Sequence, residues 1–317
     1  DLFIEEFNWE DDKILLVYDC GNPTSRDNIA KMSMLTEMME LDIEEWLRYP
    51  KIDMHCHVWN LANEQEEQIS SEQLILSGEM LGITEFWCSS PIIGGLIASV
   101  EAVREENNTI LRAIKRHPQH IRGMCFVIPG HYQMALDEIN RCLDSGMIGI
   151  KLYNQYRIND PAVFPVIELA IERKVPILEH AGYLHAREDL DSQPLISHGE
   201  HFAEVSARYP EAMLIHAHIG GGGDWEHTVS AMRHGSPNLY CDVSGSNLDD
   251  GQVEWAVAEM GAESVLFGTD GTMTGSVGKV IDATLTEEDK SLIFWKNAER
   301  ILAAQGARPT QPREVVA

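Results

Sequence analysis

Two histidines, His55 and His57, lie two positions apart at the end of a short apolar run that begins at residue 51. Side chains alternate along a β-strand, so both imidazoles would face the same side of it. Such a pair can bind a metal ion, but two nearby histidines on a strand are also found as polar side chains without a functional role. The pair alone therefore leaves both interpretations open.

Three further strand-like runs end in a residue that could join the histidine pair. His180, His218 and Asp270 each close an apolar run and are followed within two residues by glycine. Imidazole nitrogens and carboxylate oxygens are ligands that zinc accepts, and a catalytic site also keeps one position open for water. The combination favours a catalytic metal site over histidines without a functional role.

The elements that position these residues form a regular alternation of short β-rich runs and longer segments with helical spacing. The predicted strands span 52–57, 83–89, 123–128, 149–153, 175–180, 213–218, 238–244 and 265–270. The predicted helices span 71–81, 97–117, 132–144, 161–173, 198–208, 225–232, 252–260 and 287–304. Apolar strands separated by helices indicate a parallel sheet covered on both sides, and eight repeats can close into a (β/α)8 TIM barrel of the α/β class.

In a barrel of this kind the active site lies at the C-terminal ends of the strands. His57, His180, His218 and Asp270 end the first, fifth, sixth and eighth predicted strands. We therefore expect these side chains to converge over one mouth of the barrel.

Length and order of the elements predict one domain with flanking segments. Residues 1–50 are expected to form an N-terminal extension that packs on the barrel, 51–305 the barrel and 306–317 a tail. No stretch approaches the roughly 20 apolar residues of a membrane span. The six cysteines contain no CxxC pair, which favours reduced thiols in a cytoplasmic protein.

Charge restricts the class of partner. The chain carries 24 Lys plus Arg against 51 Asp plus Glu, a formal net charge of -27. Such a surface repels phosphate backbones and anionic lipids, so nucleic acid and membrane are excluded as expected partners. A small-molecule substrate is expected, and a homo-oligomer is left open.

Six short motifs resemble the amidohydrolase superfamily, in its amidohydrolase-related branch that contains aminocarboxymuconate semialdehyde decarboxylase and several lactone hydrolases. The motifs are IDMHCH at 52–57, GIKLY at 149–153, LEHAG at 178–182, HAHIGGG at 216–222, FGTDG at 267–271 and NAERIL at 297–302. Each motif is weak by itself, and together they are specific.

The resemblance implies roles for the candidate residues. It makes His55, His57, His180 and Asp270 ligands of one divalent metal ion, zinc or alternatively manganese, with Asp270 also able to activate water. It makes His218 the general acid/base, since a neutral imidazole can move protons near pH 7. His216 competes with His218 for this role and is otherwise expected in the substrate pocket.

Lys151 is ambiguous within the resemblance. In binuclear members of the superfamily, a lysine on the fourth strand is carboxylated and bridges two metal ions. In the single-metal alternative, which we favour, Lys151 balances carboxylates or contacts an anionic substrate. Trp59, Tyr153 and Arg157 follow the first and fourth strands, where loops form the pocket, and Arg157 could clamp a substrate carboxylate or be a surface residue.

Three functions compete at this point. The first, which the sequence favours, is a metal-dependent hydrolase that activates water to attack a carbonyl carbon of a lactone, ester or cyclic amide. The second is a metal-dependent, non-oxidative decarboxylase of a small unsaturated or aromatic carboxylic acid. The third, a non-catalytic binding barrel, is disfavoured because clustered polar groups without a ligand are costly to bury.

Overall fold

The computed structural model describes residues 43–219 and 223–306. These residues contain eight parallel strands in the order β1 to β8, each paired with the next in sequence. The strands are β1 Lys51–His57, β2 Ile83–Ser89, β3 Ile121–Phe126, β4 Gly149–Leu152, β5 Ile177–Glu179, β6 Leu214–His216, β7 Leu239–Asp242 and β8 Val265–Leu266. The prediction of a (β/α)8 barrel is confirmed.

Backbone hydrogen bonds join the last strand region to the first. The Met54 amide donates to the carbonyl of Phe267 at 3.0 Å, and the Asp270 amide donates to the carbonyl of His55 at 2.8 Å. Asp53 adds a side-chain clamp, because its carboxylate accepts from both the amide and the hydroxyl of Thr269, at 3.0 and 2.7 Å. The barrel is therefore closed next to the histidine pair.

Helices cover the outside of the sheet. They are α1 Ile43–Leu47, α2 Glu64–Glu79, α3 Val100–Arg116, α4 Gln133–Asp144, α5 Phe164–Arg173, α6 Arg187–Ser192, α7 Gly199–Arg208, α8 Trp225–Met232, α9 Gln252–Met260, α10 Met273–Asp282, α11 Glu287–Ser291 and α12 Asn297–Ala304. A π-helical turn, Leu292–Lys296, joins α11 to α12. None of the helices in the described ranges has the length and apolar content that a membrane crossing requires.

Two apolar layers hold these elements together. The inner layer fills the barrel with side chains from successive strands, such as Met54, Leu178 and Ile215, and packs on Ile301 of α12. The outer layer lies between the sheet and the helices and contains most of the remaining core. Burial on both faces explains why most strand residues are apolar and why the polar ones, such as Asp53 and Glu179, are buried.

The structure describes only part of the two predicted flanking segments. Residues 1–42 of the expected extension and 307–317 of the expected tail lie outside the described residues. Within 43–50, the Tyr49 ring stacks on Phe294 at 5.3 Å, and its hydroxyl donates to Glu287 at 2.6 Å. Five cysteines lie in the described ranges, and all are buried and free: Cys56, Cys88, Cys125, Cys142 and Cys241.

Several predicted boundaries are wrong by a few residues. The helix predicted at 71–81 is α2, which begins at Glu64, because the Asn63 side chain caps it by accepting from the amides of residues 65 and 66. The strands β5, β6 and β8 stop before His180, His218 and Asp270, which lie in the loops that follow. These loop positions free the three backbones to turn towards the mouth.

Candidate metal centre

A β-bulge between Asp53 and Cys56 contains the first histidine of the pair. Between Asp53 and Cys56, β1 advances three residues while β2 advances two. An extra residue of this kind re-aims the side chains that follow it. His55 and His57 both reach the carboxylate of Asp270, whose Oδ1 lies 3.8 Å from Nε2 of His55 and 2.9 Å from Nε2 of His57.

The backbones of His218 and Asp270 are both left-handed, with φ values of 65° and 47°. Non-glycine residues seldom adopt this region, and doing so costs about 1–3 kcal/mol. Each conformation is held by a hydrogen bond from the residue's own amide, to Asp242 Oδ1 at 3.1 Å for His218 and to the carbonyl of His55 at 2.8 Å for Asp270. Two turns are thus held in a costly conformation at the point where the side chains converge.

Gly268 lets the backbone that follows β8 pack closely against the side chains of His55 and Asp242. A Cβ atom at this position would lie 2.9 Å from Cβ of His55 and 3.3 Å from Cγ of Asp242. Contacts this short are not tolerated between real side chains, so the glycine of the FGTDG motif lets β8 pack against the metal-site side chains.

Asp242, at the end of β7, forms hydrogen bonds with two of the histidines, His55 and His218. It was not among the site residues predicted from the sequence. It is fully buried and its Oδ2 accepts from Nδ1 of His55 at 2.9 Å, while its Oδ1 accepts from the amides of His218 and Ser244. The rule used for the other strands, an acidic or imidazole residue at the end of an apolar run, would have found it. Burial opposes ionisation of Asp242, but nearby His55 and His218 hold its pKa below the ordinary value.

The hydrogen bonds determine which ring nitrogens carry a proton. A neutral imidazole has one N–H, and His55 donates its Nδ1–H to Asp242 while His57 donates its Nδ1–H to the carbonyl of Ser89 at 3.1 Å. Both Nε2 atoms therefore present a lone pair to Asp270. Carboxylates that hold Nδ1 in this way are typical of histidines that bind metal through Nε2.

A lone pair and a carboxylate oxygen face each other at 2.9 Å between His57 and Asp270. Two acceptors at this distance need a cation between or beside them. A proton shared between the two groups is disfavoured. Burial lowers the pKa of His57. Burial raises the pKa of Asp270, but the neighbouring histidines outweigh this effect and hold that pKa below its ordinary value. The donor set therefore fits a divalent ion.

His218 belongs to the same cluster. Its ligand atom and those of His55 and Asp270 all lie within 4.8 Å of one another. The single hydroxyl proton of Ser244 goes to Asp242, so Nδ1 of His218 donates to Ser244 Oγ at 2.9 Å. That arrangement leaves Nε2 of His218 with a lone pair.

His180 lies beside His218 rather than against Asp270. Its Nδ1 is 2.9 Å from Nε2 of His218, and its ring stacks on Tyr153 at 4.2 Å. Burial lowers the pKa of His180 to about 3, and burial also holds the pKa of His218 well below its ordinary value. Both rings are neutral near pH 7 and available as metal ligands or proton carriers.

Lys151 is fully buried and enters the centre from β4. Its Nζ lies 2.9 Å from Nε2 of His55. Burial lowers the pKa of Lys151 to about 8, against the attraction of Asp270, Asp242 and Glu179. With a pKa of about 8, the amine is mostly protonated at pH 7 and suits a cationic contact, while its neutral fraction suits carboxylation.

The remaining predicted pocket residues are spread more widely. Trp59 is 40% exposed and its ring lies 4.9 Å from that of His57. Arg157 is exposed and donates to the carbonyl of Pro194 at 3.0 Å. His216 is fully buried against the ring of Phe202 at 4.8 Å, and neither of its ring nitrogens has a hydrogen-bond partner among the described residues.

Replacing Asp242 by asparagine should lower metal affinity about 10- to 100-fold, because outer-shell partners of metal ligands carry effects of this size. The asparagine NH2 group would face N–H donors that now meet a carboxylate. Metal titration followed by calorimetry measures the change, with Asp250→Asn, an exposed neighbour, as the control. Equal affinities for the two variants would remove Asp242 from the metal centre.

Replacing His216 by leucine should make the protein less sensitive to acid. Burial lowers the pKa of His216 from 6.5 to about 4, so its contribution to stability is complete above pH 6.5 and is lost as the pH falls towards 4. At pH 5 the native protein loses roughly 2 kcal/mol through this group.

Urea unfolding of both proteins at pH 7.5 and pH 5 tests this effect. The variant should be at least as stable at pH 7.5, because no hydrogen bond of the imidazole is lost, and should lose less stability at pH 5. An identical loss in both proteins would show that His216 does not titrate as its burial requires.

The chain matches one protein family and is similar to several solved structures. The amidohydrolase family model matches residues 52–303, and no curated protein matches the chain. The chain is similar in structure to 2,6-dihydroxybenzoate decarboxylase from Rhizobium, with a TM-score of 0.64 and 14% identity, covering 80% of this chain and 99% of that one.

Two further solved structures show the same architecture. The 5-carboxyvanillate decarboxylase from Novosphingobium aromaticivorans, complexed with manganese, gives a TM-score of 0.62 at 15% identity over 80% of this chain and 96% of its own. The 4-oxalomesaconate hydratase from Rhodopseudomonas palustris gives 0.64 at 16% identity over 81% and 96%. At these identities the similarity establishes the barrel.

Proposed function

This chain belongs to the amidohydrolase family, and from that premise we propose that it is a metal-dependent, non-oxidative decarboxylase of a small aromatic or unsaturated carboxylic acid. The sequence favoured hydrolysis, with decarboxylation as the alternative. The comparisons support the alternative better, since two of the three structural relatives described above are decarboxylases of substituted benzoic acids.

The observation that carries the proposal is the buried amine of Lys151 inside a centre that already fits a divalent cation. Two positive groups side by side attract a substrate carboxylate, and the side chain of Lys151 is fully buried. Burial strengthens this attraction, because charges interact more strongly away from bulk solvent.

The reaction replaces a carboxylate by hydrogen: the carbon–carbon bond breaks, carbon dioxide leaves with its two oxygens, and the electron pair stays on the substrate carbon. A bound divalent ion supplies positive charge that orients the substrate and stabilises this electron density. His55, His57, His180 and Asp270 are the residues we assign to hold it.

His218 is the group we assign to deliver the proton to that carbon. Ser244 holds its Nδ1–H, so Nε2 is the atom that takes up and releases a proton. Its pKa lies below the ordinary value through burial, which makes the protonated ring a strong acid once it forms. Tyr153, stacked on His180, and Trp59, beside His57, offer aromatic faces to an unsaturated substrate.

Metal content tests the centre itself. We expect about one ion per chain, zinc or manganese, in protein purified without chelator and measured by elemental mass spectrometry. About two ions per chain would instead favour a carboxylated Lys151 with His180 and His218 as ligands of a second ion. A protein that binds neither ion would contradict the proposed chemistry.

A substrate panel tests the reaction. Hydroxybenzoic acids and unsaturated carboxylic acids are incubated with metal-loaded protein, and carbon dioxide release is followed together with a panel of lactones, esters and cyclic amides. Stoichiometric release of carbon dioxide supports decarboxylation. Turnover confined to lactones, esters or amides would establish the hydrolase instead, and no turnover on either panel would favour the binding barrel.

A further inference from the structure

The side chain of Gln193, outside the predicted site, lies against a metal-site histidine. Its Oε1 is 2.9 Å from Nε2 of His180 and also accepts from Nδ2 of Asn154 at 2.8 Å. On the other side of the same ring, Nδ1 of His180 is 2.9 Å from Nε2 of His218. Gln193 and His218 therefore contact opposite edges of one imidazole.

An amide oxygen can only accept hydrogen bonds, so Nε2 of His180 must be the nitrogen that carries the proton. The same oxygen of Gln193 also accepts a hydrogen bond from Nδ2 of Asn154. A neutral imidazole has one N–H, so Nδ1 of His180 is left with a lone pair that points to Nε2 of His218. That nitrogen also carries a lone pair, so the two acceptors, 2.9 Å apart, need a cation beside them, as His57 and Asp270 do.

The fold holds Gln193 in this position. The segment 182–197 leaves β5 and returns to it, and its ends are joined by a hydrogen bond from the Gly182 amide to the carbonyl of Ser197 at 2.8 Å. Gln193 follows α6, where its amide donates to the carbonyl of Asp189 at 2.9 Å. Arg157 donates to the carbonyl of the next residue, Pro194.

The ring of His180 has limited freedom to escape this arrangement. It stacks on Tyr153 with an interplanar angle of 14°, and its backbone amide donates to the carbonyl of Leu152 at 3.1 Å. With the ring plane fixed, the remaining choice is which nitrogen carries the proton. The partner at Nε2 decides that choice.

We propose that Gln193 is a positioning residue that fixes the tautomer of His180, so that Nδ1 rather than Nε2 is presented to the metal centre. Arg157, which the sequence suggested as a substrate clamp, supports this contact by holding the segment that carries Gln193. The inference rests on the proposed function only for the role of His180 as a ligand, because the tautomer exists whether or not the protein decarboxylates anything.

Nitrogen NMR of protein labelled with 15N-histidine tests the tautomer directly, in metal-free and zinc-loaded samples without substrate. His180→Asn identifies the His180 resonances by their loss. In the native protein Nε2 of His180 should be protonated; in Gln193→Leu the proton should be distributed over both nitrogens, and zinc affinity should fall about 10- to 100-fold.

Gln193→Glu should keep the native pattern, because a carboxylate is also only an acceptor. Asp191→Asn, an exposed change in the same segment, is the matched control, and Gln193→Ala replaces the leucine variant if that protein fails to fold. An unchanged His180 pattern in the folded Leu or Ala variant would overturn the proposal. Absence of decarboxylase turnover would contradict the proposed function and leave this measurement unaffected.

Discussion

Asp270→Asn should lower turnover by about 10³-fold or more while the protein stays folded. The carboxylate oxygen that meets Nε2 of His57 at 2.9 Å is replaced by a neutral amide, which is a weak metal ligand and carries no negative charge. The loss therefore combines weaker metal binding with lost electrostatic support for the reacting centre.

The fold should survive this change for two reasons. Asparagine tolerates the left-handed backbone that residue 270 adopts at φ 47°. The backbone hydrogen bond to the carbonyl of His55 does not involve the altered atoms. A thermal melt close to that of the native protein is therefore expected.

The experiment compares kcat/KM, metal content and melting temperature of Asp270→Asn with those of Asp282→Asn. Asp282 is exposed at the C-terminal end of α10 and should behave like the native protein. Retention of near-native activity by Asp270→Asn would remove this residue from the mechanism.

The parts of the site that the sequence predicted are those whose signal is local. His57, His180, His218 and Asp270 each follow an apolar run, and eight such runs predict a barrel whose strand ends meet at one mouth. The (β/α)8 order was therefore readable from periodicity, although the exact strand ends were not. A strand ends where its hydrogen bonds to the neighbouring strand stop, and that position depends on the sequences of both strands.

The parts that escaped prediction depend on contacts between distant segments. Gln193 meets His180 only because the segment 182–197 folds back over β5, and no spacing rule relates the two residues. The bulge in β1 is visible only as a change of register against β2. Ser244, which follows β7, fixes the proton position on His218, which follows β6, and the sequence spacing does not relate the two residues.

His218→Asn should lower turnover by about 10²-fold or more and leave metal content unchanged. Asparagine fits the left-handed backbone at φ 65°, and it removes the only nitrogen that can exchange a proton at this position. His218 has two competing roles, however, because its ligand atom also groups with those of His55 and Asp270 within 4.8 Å.

Metal content separates the two roles. A proton carrier that is not a ligand can be replaced without loss of the ion, so full metal occupancy with poor turnover identifies His218 as the acid. Loss of metal together with turnover would place His218 among the ligands, and native turnover would exclude both roles. His234→Asn, which changes an exposed histidine between α8 and β7, is the control for the loss of an imidazole.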